Sequence, residues 1–191
     1  MAGATAEILL PNLSLEERAS WESTVAAGST TRKGTDFWIP PSDDPSGEPL
    51  PFFWDTSDDR ADGWVFEGAE GATQAIQDAY GFMPRASIIV GAMCSGRPSD
   101  QILARLCSAF LTSHQGILLF DGLLTPRLDA SSWFAWNRLT PGVRAARFLE
   151  ALGPFVGRIV AVPVEGQPAS HAVDAEFLRF WQRHAAFHFV K

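Results

Sequence analysis

A buried strand, an amphipathic helix and a second buried strand follow one another between residues 86 and 121, and few folds accommodate that order. Ala86–Met93 and Gly116–Asp121 are almost continuously apolar, which is typical of strands covered on both faces. Between them, apolar residues recur at helical spacing from Ser99 to Ser113. The spacing favours a helical crossover between parallel strands, although an antiparallel return is also compatible with it.

The remaining elements are shorter. Ala6–Leu10 reads as a strand, and Ser14 and Glu17 have the capping-box spacing that begins a helix from about Leu15 to Val25. The sequence therefore predicts an α+β fold, a single domain over residues 1–191 with a mixed β-sheet of about five to seven strands and helices packed on one or two faces. The other predicted strands are Asp36–Ile39, Leu50–Trp54, Trp64–Phe66, Phe155–Val164 and Phe187–Val190, and the other predicted helices are Thr73–Tyr80, Thr140–Leu152 and Asp174–Ala185.

Residues 40–70 differ from the rest of the chain. Five prolines lie between Pro40 and Pro51, and each removes a backbone donor and fixes φ. We therefore expect an acidic, Pro-rich insertion at about 40–70, with Leu50–Trp54 and Trp64–Phe66 forming a hairpin-like pair around an acidic loop.

The negative charge of the chain is concentrated here. The net charge is −7, yet residues 41–80 hold ten acidic residues against Arg60 alone, and the rest of the chain is slightly positive. Aromatic side chains alternate with these acids, and such a surface can steer and anchor a basic protein. A solvated acidic loop is an equally simple interpretation, and a calcium loop is a third, although the ligand spacing of an EF-hand is missing. The predicted partner-binding residues are Trp54, Asp55, Asp58, Asp59, Asp62 and Trp64.

A small cysteine hydrolase is the enzymatic alternative. Cys94 stands between small residues after a buried strand, as the nucleophile of an elbow turn does, and Asp121 and His171 follow in the order acid, base. However, Arg97-Pro98 separates this turn from the predicted helix, and no Gly-rich oxyanion loop is visible. We therefore assign no catalytic residue and expect Cys94→Ala to leave function intact.

The sequence holds no clear motif for a metal, a nucleotide or a membrane. His184 and His188 have the i,i+4 spacing of zinc ligands, but the glutamate of HExxH and a third ligand are missing. Glycine-rich phosphate loops are absent, and an acidic chain does not favour nucleic acid. Two cysteines without a CxxC pair, no signal peptide and no long apolar run predict a cytoplasmic protein without a cofactor.

Three segments of the second half carry a resemblance. They are Gly116–Gly122 (GILLFDG), Asp174–His184 (DAEFLRFWQRH) and Phe187–Lys191 (FHFVK). They resemble a family of small bacterial proteins of uncharacterised domain type that are often immunity partners in polymorphic toxin systems. The resemblance implies an acidic, cytoplasmic, non-enzymatic protein that neutralises a cognate effector by binding it, and it transfers no functional residue.

We therefore expect an immunity protein that occludes the active site of a cognate toxin with a basic surface. An adaptor protein without a toxin partner is compatible with the same features. For the fold, we expect Ile88, Val90, Leu118 and Phe120 to be buried in central strands, because apolar side chains on both faces need cover on both sides.

Overall fold

A single antiparallel sheet organises the chain. The structure, a computed structural model, describes residues 3–41, 47–57, 70–120, 135–136, 138–162, 170–185 and 187–189. Within these ranges there are eight strands, in the order β2-β3-β4-β5-β1-β6-β8-β7, and five helices. The strands are β1 (Thr5–Leu10), β2 (Thr31–Lys33), β3 (Asp36–Ile39), β4 (Leu50–Ser57), β5 (Ala86–Ala92), β6 (Ile117–Phe120), β7 (Ile159–Val162) and β8 (Ser170–Val173). The helices are α1 (Leu15–Gly28), α2 (Glu70–Tyr80), α3 (Arg97–Ser113), α4 (Pro141–Leu152) and α5 (Ala175–Arg183).

The predicted α+β class is confirmed, and the crossover has an inserted strand. β5 and β6 both pair with β1 and both run antiparallel to it, so they are parallel to each other without touching. α3 connects them, as the periodicity predicts. β1 can occupy the middle of the sheet because its second half is apolar on both faces, with Ile8, Leu9 and Leu10 all buried.

The larger core lies on the face of the sheet that carries α1, α3, α4 and α5, here called the inner face. The four side chains predicted to be central, Ile88, Val90, Leu118 and Phe120, are at most 1% exposed, which confirms that prediction. Trp21 of α1 meets Phe110 of α3 edge to face, with 5.6 Å between ring centroids. Large aromatic rings therefore pack helix against helix as well as helix against sheet.

The opposite, outer face is covered by α2 at its β1-β6-β8-β7 end. Ile76 of α2 packs with Leu9, Leu119 and their neighbours in a smaller core. At the end of α2, the Tyr80 hydroxyl donates a hydrogen bond to the Ala172 carbonyl oxygen at 2.7 Å. Burial raises the pKa of this hydroxyl, so it stays protonated and remains a donor.

Local sequence signals set the helix ends. The capping box of α1 is present, since the Glu17 amide donates to Ser14 Oγ at 3.2 Å and the Ser14 amide donates to Glu17 Oε2 at 2.7 Å. Asp174 caps α5 by accepting from the Phe177 amide at 2.8 Å, and its second oxygen accepts from the Arg158 amide at 2.8 Å. One carboxylate therefore fixes both the start of α5 and the approach to β7.

Several strand predictions are corrected. Eight strands exceed the predicted five to seven, because β2 and β8 carry too few apolar residues to be recognised in the sequence. The strand predicted at Phe155–Val164 begins only at Ile159, because Gly157 has a left-handed φ of 82° that interrupts extended backbone. The stretch predicted as Trp64–Phe66 lies outside the described residues.

The predicted closing strand at Phe187–Val190 is wrong for its described part, residues 187–189. Phe187 and Phe189 are both buried, as alternate residues of a strand can be, but residues 187–189 form no strand and pair with none of the described sheet. Phe189 packs on Phe120 of β6 at 5.0 Å, and Phe187 meets Trp181 of α5 at 6.2 Å. The segment fills the inner core instead of extending the sheet.

We predict that Gly157→Ala lowers the free energy of unfolding by about 2–4 kcal/mol, because a left-handed φ and an N-cap are disturbed together. A Cβ at this position would clash with the Phe177 amide nitrogen and with Asp174 Oδ1. Urea unfolding followed by circular dichroism measures the change. The control is Gly142→Ala in α4, where a Cβ meets nothing within 4 Å, and it should be neutral or raise stability. Equal unfolding midpoints for the two variants would contradict the account.

Candidate functional site

β4 places its neighbouring aromatic and acidic side chains on opposite faces of the sheet. Trp54 points into the inner core, is 5% exposed and contacts the Trp21 ring at 6.5 Å. Asp55, the next residue, is exposed on the outer face. Because strand side chains alternate, Trp54 is a core residue and Asp55 belongs to a different surface.

Asp55 has aromatic and apolar neighbours on the outer face. Phe53 lies on the same face of β4, opposite Asp36 of β3, while Ile89 of β5 lies opposite Asp55. Trp38 is the next outward residue of β3. All except the exposed Asp55 are half-buried. We call these five residues, Asp36, Trp38, Phe53, Asp55 and Ile89, the outer patch.

The outer patch lies on rigid backbone. The Phe53 ring lies across Gly91 of β5 so closely that any Cβ there would collide with it. Asp55 Oδ1 accepts from the Thr56 amide at 2.8 Å, and the Thr56 hydroxyl accepts from Arg18 of α1 on the inner side. β4 is therefore held from both faces, which limits the side-chain freedom that binding must remove.

The outer patch contains two aspartates, and more acidic residues follow β4 in the sequence. Lys33 of β2 lies opposite Asp36. Asp55 lies two residues before the end of β4, and further acids follow β4 in the sequence. Four of the six predicted partner-binding residues, Asp58, Asp59, Asp62 and Trp64, lie outside the described residues.

Four of the five members of this surface, all except Asp55, were not predicted from the sequence. Period-two alternation along β4 is a signal that would have grouped Phe53 with Asp55 and excluded Trp54. Asp36, Trp38 and Ile89 join only through the pairing of β4 with β3 and β5. That pairing connects residues distant in sequence, and no local pattern reports it.

The triad of the hydrolase alternative is not brought together in the described residues. Val90, Ala6, Phe120 and His171 form one row across four adjacent strands. His171 therefore lies three strand spacings, about 14 Å, from Val90. Cys94 is further along the chain, beyond the end of β5, and Asp121 lies outside the described residues.

His171 belongs to the inner core. It is buried, and its ring lies 5.6 Å from that of Phe148 in α4. Burial lowers the pKa of His171 from 6.5 to about 4, so the imidazole is neutral at physiological pH. Its surroundings are those of a packed core side chain.

The other chemical candidates are accounted for by structure. Cys107 is buried in α3, and burial raises the pKa of its thiol, which makes it inert. α5 ends before His184, and the Trp181 indole nitrogen donates to the His188 carbonyl oxygen at 3.2 Å, so the two histidines do not share a helical turn. Within the described ranges, no group of three or more His, Cys, Asp or Glu residues could hold a metal ion, and no helix is long and apolar enough to cross a membrane.

Fold and site together define an α+β protein with one antiparallel sheet, helices covering the inner face and, among the described residues, an outer face that α2 covers at one end. Over residues 2–191 the chain matches a family of unknown function, DUF6368, and it belongs to that family. No curated protein matches the chain significantly, and no solved structure does.

We predict that stability falls on acidification between pH 6.5 and pH 4, and that His171 causes part of the loss. The folded state holds the pKa of His171 at about 4, below the unfolded value of 6.5, so the unfolded chain binds the proton first. The contribution is about 3 kcal/mol at pH 4. Urea unfolding at several pH values should give a shallower pH dependence for His171→Gln than for the wild type. Identical slopes would show that the imidazole is not the responsible group.

Proposed function

We propose that this protein is a non-enzymatic immunity protein that binds a cognate bacterial toxin through the outer patch and covers the toxin's active site. The observation that carries the proposal is the segregation of charge. Ten acids lie in residues 41–80. Within that segment, Asp55 of β4 is exposed on the outer face, and α2 packs against the outer face. The resemblance of the second half to immunity proteins supports the same function.

The outer patch has the two components that a protein-binding surface needs. Asp36 and Asp55 give the outer patch negative charge and can accelerate encounter with a basic partner. Trp38, Phe53 and Ile89 retain accessible apolar area on strands that are already ordered. Aromatic anchors of that kind supply most of the binding energy of an interface.

The interface must be larger than the outer patch itself. A stable complex buries about 800 Å² on each partner, which is a small part of the 9870 Å² total surface of this chain. Five side chains do not supply that area. We propose that Asp58, Asp59 and the residues that follow them enlarge the same interface.

The hydrolase alternative gains no support from the described geometry. A nucleophile and its base must lie within hydrogen-bond reach, about 3 Å, or be bridged by one water. His171 lies three strand spacings from Val90, the residue of β5 in the same row, and Cys94 lies beyond the end of β5. Binding without chemistry is the function that these positions support best.

We predict that Asp36→Lys combined with Asp55→Lys slows association with the cognate toxin about tenfold at low ionic strength and less at high ionic strength, because salt screens the steering field. The toxin to test is the product of a toxin-like gene next to the gene of this protein. Surface-immobilised kinetics at two salt concentrations measure the rate. Phe53→Ala should instead speed dissociation, since it removes an anchor.

The matched control is Glu22→Lys combined with Glu150→Lys. It makes the same change in net charge, and it pairs one half-buried acid with one exposed acid on helices, as the outer-patch variant does on strands. Equal association rates for the two double variants would exclude the outer patch as the interface. Failure of the wild-type protein to bind the toxin or to relieve its toxicity on co-expression would overturn the proposed function itself.

A further inference from the structure

A second surface, on the other side of the sheet, has the opposite charge. An open groove of about 570 Å³ runs along the solvent side of α5, between that helix and the turn that precedes β7. We call it the α5 groove. The lining residues on which the following argument depends are Val156, Glu176, Arg179, Phe180, Arg183 and His184.

The amphipathic pattern of α5 explains why this groove exists. Phe177, Leu178 and Trp181 point into the inner core, which leaves the intervening side chains to face outward. The turn before β7 supplies the second wall. Phe155 is 36% exposed and Val156 is 61% exposed, although both are large apolar side chains. Apolar area left open beside a groove is typical of a surface that binds a partner.

Two arginines give the groove its charge. Arg179 and Arg183 are one helical turn apart, so both guanidinium groups lie on the same side of α5. Arg179 Nη1 donates to Thr112 Oγ1 of α3 at 3.0 Å, which holds that side chain in place. Glu176 is in the first turn, about 10 Å along the helix axis from Arg183. The end of the groove nearest Arg183 is therefore positive, in a chain whose net charge is −7.

Ring stacking makes the floor of the positive end rigid. The His184 ring stacks on the buried Trp181 ring at 5.2 Å and lies 6.0 Å from the Phe180 ring. Phe180 in turn contacts Phe155, with 6.3 Å between ring centroids. An occupant would meet ordered aromatic surface beside two cations.

We propose that the α5 groove binds an acidic peptide segment of a partner protein, with carboxylates on Arg179 and Arg183 and an apolar side chain against Phe180 and Val156. Guanidinium groups bind carboxylates with charge-assisted, often bidentate hydrogen bonds. The groove is too open to enclose most of a small molecule, as a ligand pocket does. The net negative charge of the chain disfavours nucleic acid, because the phosphates of nucleic acid repel an acidic protein. This inference is independent of the proposed immunity function, which uses the outer face.

Fluorescence anisotropy with a labelled peptide of alternating Glu and Leu residues tests the proposal. The wild-type protein should bind it more tightly than the same peptide with Gln in place of Glu, and Arg183→Glu should weaken binding about tenfold, the value of one lost charge-assisted contact. Val156→Ser should weaken binding of the Glu peptide and of the Gln peptide alike, because it removes apolar contact only.

Matched controls lie on α4. Arg147→Glu changes the net charge as Arg183→Glu does, and Val143→Ser replaces a valine that is 43% exposed, so both should bind the Glu peptide as the wild type does. Equal losses in the α4 and α5 variants would overturn the proposal. So would tighter binding of labelled single-stranded DNA than of the Glu peptide, or self-association that Arg183→Glu abolishes in sedimentation velocity, since the occupant would then be nucleic acid or a second copy.

Discussion

The pairing of β1 on both of its edges is the constraint on which the rest of the molecule depends. β1 joins β5 on one side and β6 on the other, so the N-terminal strand connects the β2-β3-β4-β5 half of the sheet to the β6-β8-β7 half. This one strand pairs with residues from the middle of the chain, so its contacts are distant in sequence. Closing such long loops costs conformational entropy before the pairing offsets it, so we expect β1 to pair late in folding.

A second junction places α5 relative to the sheet. Asp174 accepts hydrogen bonds from the Arg158 and Phe177 amides, and the Arg158 guanidinium lies over the Tyr80 ring at 5.6 Å. Tyr80 in turn donates to the carbonyl oxygen of Ala172 in β8. Three elements, α2, β7 and α5, are therefore connected by three neighbouring side chains, those of Tyr80, Arg158 and Asp174. Hydrogen bonds and a cation–π contact are directional, so they fix positions that apolar packing alone leaves adjustable.

Elements with strong local signals could be predicted, and those that depend on distant partners could not. The capping box at Ser14 and Glu17 and the apolar run of β5 each specify one structure locally, and both are present. β8 contains Ser170 and His171, so its sequence does not look like a buried strand, and only pairing with β6 and β7 makes it one. The same dependence on distant pairing explains why most of the outer patch could not be predicted. Asp55 is visible in the sequence as a surface acid, but Ile89, which lies opposite it, is brought there only by the register of β4 against β5.

The two charged surfaces lie on opposite sides of one sheet, and this arrangement has a thermodynamic consequence. The acidic outer patch is on β3, β4 and β5, whereas the α5 groove belongs to the helix layer beneath the other half of the inner face. Sites that share no residue and no neighbour couple weakly unless a ligand shifts a conformational equilibrium that both sites sense. Binding at the two surfaces should therefore be additive at high ionic strength. At low ionic strength, a basic partner on the outer patch would neutralise part of the net charge of −7 and so ease the approach of an acidic peptide to the groove. Any coupling between the sites should thus be electrostatic and disappear with added salt, without a conformational change to carry it.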